Sequence, residues 1–245
     1  MTAKLRPDEI QGFKDDGYVI YDRQVLQPEQ MGRLEGIFRE HHAAKGEKLS
    51  DELDTPHFED ARLLDFLLSP EVLDVAECLL GPDLALWSSH FICKDPHVGR
   101  ATPWHEDSAY WAGRMNRFDK IVTVWLALDD VDRANGCMEV VAGSHLGGGF
   151  SQYEAVNTAG NTFGLAIPQV DESRVVPFEL KRGECSLHDG RIVHGAGPNN
   201  SNRRRLGYTM RYISADVRVV PERNVGHRLW LARGRPLAAN EYVNC

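Results

Sequence analysis

Apolar residues recur three and four apart in three stretches near the start of the chain, and gather into short β-type runs beyond Gly81. The first rhythm belongs to helices with one buried face and the second to strands. Ile10 and Phe13 mark a short helix over 7–16, with Pro7 suited to its first turn and Gly17 ending it. Tyr18-Val19-Ile20-Tyr21 follows as a short strand. Pro28 opens a second helix to about His42, with Met31, Leu34, Ile37 and Phe38 at helical spacing. Residues 43–57 are polar and rich in Gly, Lys and Asp, which predicts a surface loop. Val72, Val75, Ala76 and Leu79 predict a third helix over 70–80, stopped by Gly81-Pro82.

After Gly81 the pattern predicts strands over Leu84–Ile92, Ile121–Leu128, Met138–Val141, Val175–Leu180, Cys185–Leu187, Leu206–Ser214 and Val217–Val220. Gly, Pro, Asn and Asp punctuate them, as in a barrel or a double-sheet jelly roll. Residues 142–172 are rich in Gly, Asn, Thr and Ser and show no period, so they form a candidate lid. With no internal repeat and no Pro/Ser-rich linker, the expected architecture is one mainly β domain over 1–245. It is a double-stranded β-helix (a cupin-like jelly roll) with N-terminal helices packed on one sheet. Residues 1–80 are mostly helical cover, 81–220 the jelly-roll core and 221–245 a C-terminal extension.

Composition narrows the class. At 42% hydrophobic and 26% charged, the 245 residues suit a globular protein with a substantial core. The 28 basic and 36 acidic residues leave a net charge of −8, no footprint for nucleic acid or an anionic membrane. Arg203-Arg204-Arg205 is too short a cluster to change that. Five cysteines without a C-x-x-C spacing argue for a reducing compartment and against a zinc ribbon. No secretory h-region opens the chain and no run approaches a membrane span, so a cytoplasmic location is expected.

The candidate chemistry rests on His105, Asp107 and His194. Two imidazoles and one carboxylate, with no cysteine, are the ligand set of a facial triad. Such a triad holds non-haem Fe(II) and leaves the opposite positions open for co-substrate and oxygen. On a strand, His105 and Asp107 would share one face and Glu106 the other. A lone His-x-Asp is more often a structural hydrogen-bonded pair. Here Trp104 supplies a bulky wall before it, and Gly195, Gly197 and Pro198 make a turn after His194 suited to a barrel mouth. Arg205 follows on the next strand, and its guanidinium suits a bidentate grip on a carboxylate such as C5 of 2-oxoglutarate. Alternation puts Arg203 on the same face, so periodicity does not choose among the three arginines.

Several ordered motifs resemble the phytanoyl-CoA dioxygenase family. They are Trp104-His105-Glu106-Asp107-Ser108-Ala109-Tyr110-Trp111, then Val124-Trp125-Leu126-Ala127-Leu128-Asp129-Asp130, then Asn135-Gly136-Cys137-Met138-Glu139, running on to Gly143-Ser144-His145. His194-Gly195-Ala196-Gly197-Pro198-Asn199 with Arg205, the opening Asp16-Gly17-Tyr18-Val19-Ile20 and the closing Gly226-His227-Arg228-Leu229-Trp230 are also similar. The resemblance implies that His105, Asp107 and His194 bind Fe(II) and that Arg205 anchors the 2-oxoglutarate C5 carboxylate. It places Trp125 against that co-substrate and His90 at a co-substrate-contacting position. It implies a dioxygenase that uses O2 to hydroxylate a small-molecule metabolite, releasing succinate and CO2. Desaturation, epimerisation or ring formation by the same machinery, or a non-catalytic jelly-roll binding protein, are the alternatives. Asp107 argues against halogenation, because related halogenases carry a small residue there. Two positions depart from the family pattern: Glu106 stands where Gln is frequent and Ala196 where Ser is frequent. The latter removes a possible hydrogen bond to the co-substrate.

Other residues carry blander expectations. His188 and Asp189 read as part of a turn before the ligand strand, His145 as a turn residue, and Met138 and Val140 as core. Tyr110, Trp111 and Tyr153 are candidates for a substrate pocket. No chemistry is assigned to His41, His42 or His57. The oligomeric state is not readable from the sequence.

Overall fold

The computed structural model describes residues 4–147 and 149–243. The chain begins with α1 (Pro7–Asp16), β1 (Tyr18–Tyr21), α2 (Pro28–Ala44), β2 (Leu53–Asp54), α3 (Leu64–Leu67) and α4 (Pro70–Leu80). Next come β3 (Leu84–Lys94), β4 (Thr102–His105), α5 (Asp107–Tyr110), β5 (Ile121–Ala127) and β6 (Met138–Val141). A small hairpin of β7 (Glu154–Ala155) and β8 (Leu165–Ala166) precedes β9 (Val175–Pro177). The last strands are β10 (Cys185–Asp189), β11 (His194–Ala196), β12 (Arg205–Ser214) and β13 (Trp230–Arg233). Among the described residues no helix is long and apolar enough to cross a membrane.

Local chemistry sets the helix ends. Ser69 caps α4 by accepting from the Val72 N–H, with Pro70 in the first turn. Gly17 ends α1 at φ 85°, and a Cβ there would lie 2.5 Å from His145 Nδ1. Both the left-handed backbone and the close approach require glycine.

Two antiparallel sheets make the jelly roll. The larger has strand order β1-β10-β5-β12-β3-β13, with β2 added to β3, and the smaller has order β4-β11-β6-β9. The alternation of side chains divides the large sheet cleanly. Val122, Val124 and Leu126 of β5, Leu187 of β10 and Tyr208, Met210 and Tyr212 of β12 point outward. They form the main core with Leu34 and Phe38 of α2 and Val72, Val75 and Ala76 of α4. Thr123, Trp125, His188, Thr209 and Arg211 point the other way and line a cavity of about 620 Å³. Both faces of β5 are covered, so all seven of its residues are buried. A register shift between Arg211 and Tyr212 bulges β3, and Trp87 and Ser88 both line the cavity as a result.

Three sequence expectations need correction. Val217–Val220 is not a strand; only Val219 makes an isolated bridge, to Met115. The 221–245 region is more than an appendage, because β13 pairs with β3 and Trp230 joins the main core. Nor is 43–57 simply a surface loop: Leu53 pairs with Phe91, and Pro56 and His57 are buried. Asp51 is buried against Arg100 at the cavity wall, while the Glu52 and Asp54 side chains reach the cavity mouth and stay exposed to solvent.

Candidate active site

The small sheet brings the two histidines together. β4 and β11 are antiparallel neighbours, and His194 lies directly opposite His105 in their register. The two ring centroids are 4.1 Å apart. Asp107 arrives differently from the strand alternation predicted. β4 stops at His105, Glu106 is extended, and Asp107 is the first residue of α5. The outcome is the same convergence: Asp107 Oδ1 is 3.7 Å from His105 Nε2 and 4.0 Å from His194 Nε2. One donor atom from each of the three residues lies within 4.8 Å of the others, and all three residues are buried.

The protonation pattern suits a cation. His105 Nδ1 is 2.8 Å from the Pro103 carbonyl oxygen, and His194 Nδ1 is 3.0 Å from that of Ile192. A carbonyl can only accept, so each Nδ1 carries a proton, and Nε2 is the ring nitrogen that each neutral imidazole would turn to the centre. Asp107 Oδ2 accepts from Arg211 Nε at 3.2 Å, which leaves Oδ1 as the free donor atom. Burial opposes ionisation of Asp107, but the Arg211 charge and the two imidazoles hold its carboxyl well below the usual carboxylate range. Burial, reinforced by the His105 ring, pushes His194 well below the usual imidazole range. An ionised carboxylate and neutral imidazoles are the forms a metal requires.

Arg205 is buried on the inner face of β12 with its guanidinium over the Trp125 ring, 4.6 Å from the centroid. No carboxylate among the described residues lies within ion-pair distance, and its Nε is buried without a partner. Burial lowers its pKa to about 10. Arg203 pairs instead with Asp132 at 2.5 Å, and Arg204 with Asp129 at 2.9 Å. Of the three consecutive arginines, only Arg205 enters the cavity. Gly207 shapes the same wall, since a Cβ there would sit 2.0 Å from Trp125 Cζ2.

His90 also lines the cavity but turns toward the 51–54 segment. Its Nε2 is 2.9 Å from the Asp51 carbonyl oxygen and its Nδ1 is 3.7 Å from Asp54 Oδ1. His188 needs a further correction. It lies on β10 opposite Thr123 rather than in a turn, with its ring 5.0 Å from that of His194. Burial lowers its pKa to about 4. Both its ring nitrogens and Thr123 Oγ1 are buried without partners among the described residues. Buried polar atoms are normally satisfied. Arg205, Thr123 and His188 therefore form a polar wall fitting a ligand that brings its own acceptors, such as a 2-oxo diacid. Asp189, by contrast, is engaged by Arg191 at 2.8 Å, and His145 Nε2 is 3.2 Å from the Lys14 carbonyl oxygen in a short turn.

The 142–172 region sits against the triad from the other side. The Glu106 carboxylate accepts from Ser151 Oγ at 2.8 Å and from the Tyr153 hydroxyl at 3.2 Å. Tyr153 thus ties the segment to the ligand-bearing stretch and does not line the cavity. Phe163 packs edge-on to His105 at 4.9 Å, with Tyr110 5.0 Å beyond it. Tyr110 and Trp111 line the cavity, and Met138 and Val140 share one buried core cluster, with Met138 also bordering the cavity. Arg211, Thr123 and His188 escaped sequence reasoning. The first was readable, because Arg205, Gly207, Thr209 and Arg211 alternate along one strand.

A jelly roll with two imidazoles and a carboxylate converging in its interior, and no thiolate among them, presents a donor set of the kind that suits non-haem iron. The chain belongs to the phytanoyl-CoA dioxygenase (PhyH) family, whose profile matches residues 7–207. It is similar to the human peroxisomal phytanoyl-CoA dioxygenase, 28% identical over 168 residues covering 66% of this chain and 49% of that one. A probable alpha-ketoglutarate-dependent hypophosphite dioxygenase of Stutzerimonas stutzeri is 29% identical over 176 residues, covering 69% and 59%. The chain spans about half the length of the curated relatives it matches. Among solved structures, the apo form of the non-haem monooxygenase ThoJ superposes with a TM-score of 0.78 at 26% identity. That match covers 96% of this chain and 86% of ThoJ.

Proposed function

We propose that the protein is an Fe(II)/2-oxoglutarate-dependent dioxygenase that hydroxylates a small-molecule metabolite and releases succinate and CO2. The observation that carries this reading is the meeting, in one cavity, of three buried, converging donor residues with a buried Arg205 whose Nε has no partner among the described residues. His105, Asp107 and His194 would hold the iron, which with 2-oxoglutarate and O2 supplies the oxidation when bound. Arg205 would take the C5 carboxylate of 2-oxoglutarate, with Trp125 as the wall beneath the guanidinium. Thr123 and His188 offer hydrogen bonds to the polar end of the same molecule, and His90 borders it from β3. Phe163 and Tyr110, packed against His105, keep water from the ligand side. Asp107 would fill a ligand position on that iron, which favours oxygen transfer over halogenation. A cytoplasmic location goes with this reading, on the sequence ground that the five cysteines show no C-x-x-C spacing.

Anaerobic titration with Fe(II) and 2-oxoglutarate tests the assignment. The expected result is the weak visible charge-transfer band of the chelate in the native chain and its loss in His105→Ala. No band in the native chain, or an undiminished band in the variant, overturns it. Succinate release across a metabolite panel, with product mass, then separates hydroxylation from other oxidations.

A further inference from the structure

We propose that Arg114 recognises an oxyanion of the substrate, a carboxylate or a phosphate, at the end of the cavity remote from Arg205. This rests on the reading above, because it assigns Arg205 to the co-substrate. Four arginines line the cavity: Arg100, Arg114, Arg205 and Arg211. Arg100 is taken by Asp51 at 2.6 Å and Glu52 at 3.2 Å, and Arg211 by Asp107 at 3.2 Å. With Arg205 assigned, Arg114 is left. No carboxylate of the described residues lies within ion-pair distance of it.

Its side chain is nevertheless held in place. Nε donates to Asn224 Oδ1 at 2.8 Å, and Nη2 lies 3.3 Å from His227 Nδ1. His227 Nε2 in turn lies 2.8 Å from the Trp87 carbonyl oxygen, so Nε2 carries the proton and Nδ1 accepts from Arg114. The guanidinium stacks over the Trp87 ring, 4.8 Å from the centroid. Nη1 makes no hydrogen bond among the described residues. A half-buried guanidinium fixed on three sides and open on the fourth is preorganised for an anion. Burial lowers its pKa, and the one acidic group that offsets this is Asp54 across the cavity.

Position separates this group from the co-substrate. Arg205 pairs in register with Lys94 on β3, while Arg211, which holds Asp107, pairs with Ser88 beside Trp87. Seven residues of strand, roughly 20 Å of backbone, separate Lys94 from Trp87. A 2-oxoglutarate reaching from the triad toward Arg205 therefore leads away from Arg114. Trp87, Trp111, Tyr110, Phe163 and Phe58 line the cavity along with Arg114. The substrate is thus an apolar or aromatic body bearing one oxyanion, with the anion at Arg114 and a C–H bond turned to the triad.

The test uses the chain loaded with redox-silent Zn²⁺ and 2-oxoglutarate, with binding read by calorimetry and tryptophan fluorescence. Phenylacetate, phenyl phosphate and the neutral phenylacetamide are the probes. At least one anion binds about tenfold or more tightly than the amide, and the tighter anion identifies carboxylate or phosphate as the natural group. Arg114→Gln weakens that anion by about tenfold or more and leaves the amide and 2-oxoglutarate unchanged, while Arg114→Lys restores part of the loss. Equal binding of acid and amide, no binding by either anion, or full anion binding by Arg114→Gln overturns the proposal. If Arg114→Gln fails to fold, the acid-against-amide comparison in the native chain still decides. Failure of 2-oxoglutarate to bind the Zn²⁺-loaded native chain sinks the oxygenase reading instead, a separate result.

Discussion

Replacing Arg205 with Met should move stability and co-substrate affinity in opposite directions. The folded chain holds this guanidinium at a pKa of about 10, well below the ordinary guanidinium range, with burial as the main cause. That depression corresponds to roughly 3 kcal/mol of unfavourable burial of the charge. The sign is fixed: below about pH 10 the group is charged in both states, so the whole penalty acts at neutral pH, and it is relieved only in strong base. Stacking on Trp125 returns about 2 kcal/mol for a desolvated cation over an indole. Methionine keeps much of the volume and removes the charge, so Arg205→Met should gain about 1 kcal/mol without ligand, or about 2–4 °C in Tm. The same change removes a charge-assisted grip on the C5 carboxylate and should raise the 2-oxoglutarate Kd by about two orders of magnitude. Thermal unfolding with and without 2-oxoglutarate reads both effects, because the ligand-induced rise in Tm should largely vanish. A less stable ligand-free variant that still binds 2-oxoglutarate normally would refute the reasoning.

Other perturbations have equally definite outcomes. Gly207→Ala drives a methyl into the Trp125 indole, so it should cost about 1–3 kcal/mol in urea unfolding and weaken 2-oxoglutarate binding measurably. Arg211→Met strips Asp107 of its charged partner and should lower metal affinity by about 10- to 100-fold in chelator competition, with little change in circular dichroism. Stability should be flat above about pH 6.5 and fall on acidification. Burial holds His57 at about 3 and His227 at about 4, so the unfolded chain takes up protons that the folded chain refuses. Each contributes up to about 1.4 kcal/mol per pH unit, and His57→Leu should make the slope between pH 7 and pH 5 shallower in denaturant titrations.

Much of this architecture was legible where one periodicity had one cause. α4 appears over the residues its spacing and its Pro and Gly punctuation predict, and β6 likewise. The covered strand β5 reads as continuous apolar sequence because helices pack on one face and a cavity opens on the other. Legibility failed where two causes give the same letters. The polar 51–54 stretch reads as a solvated loop, which Glu52 and Asp54 bear out, but Leu53 pairs in the sheet and Asp51 is buried against Arg100, and local composition shows neither. Asp107 shows a subtler failure. Its convergence with His105 was expected from strand alternation, but an extended residue followed by a helical turn delivers it. His188 looked like a turn residue because β10 ends one residue later, and only the pairing with β5 turns its ring toward the cavity. Arg205 could not be separated from Arg203 by periodicity, since β12 begins at Arg205 and Arg203 never enters the alternation.

The hydrogen bonds that set the two imidazoles end on the peptide carbonyls of Pro103 and Ile192, each two residues upstream of its ring. No side-chain replacement can delete a peptide carbonyl. The surrounding cavity wall can therefore diversify through point mutation without changing which nitrogen of either ring is free. Only a change that redirects the chain itself, such as an insertion between Pro103 and His105, disturbs both carbonyl and ring together. The arrangement gives the site mutational robustness where chemistry is invariant and leaves the rest of the pocket free to explore new substrates.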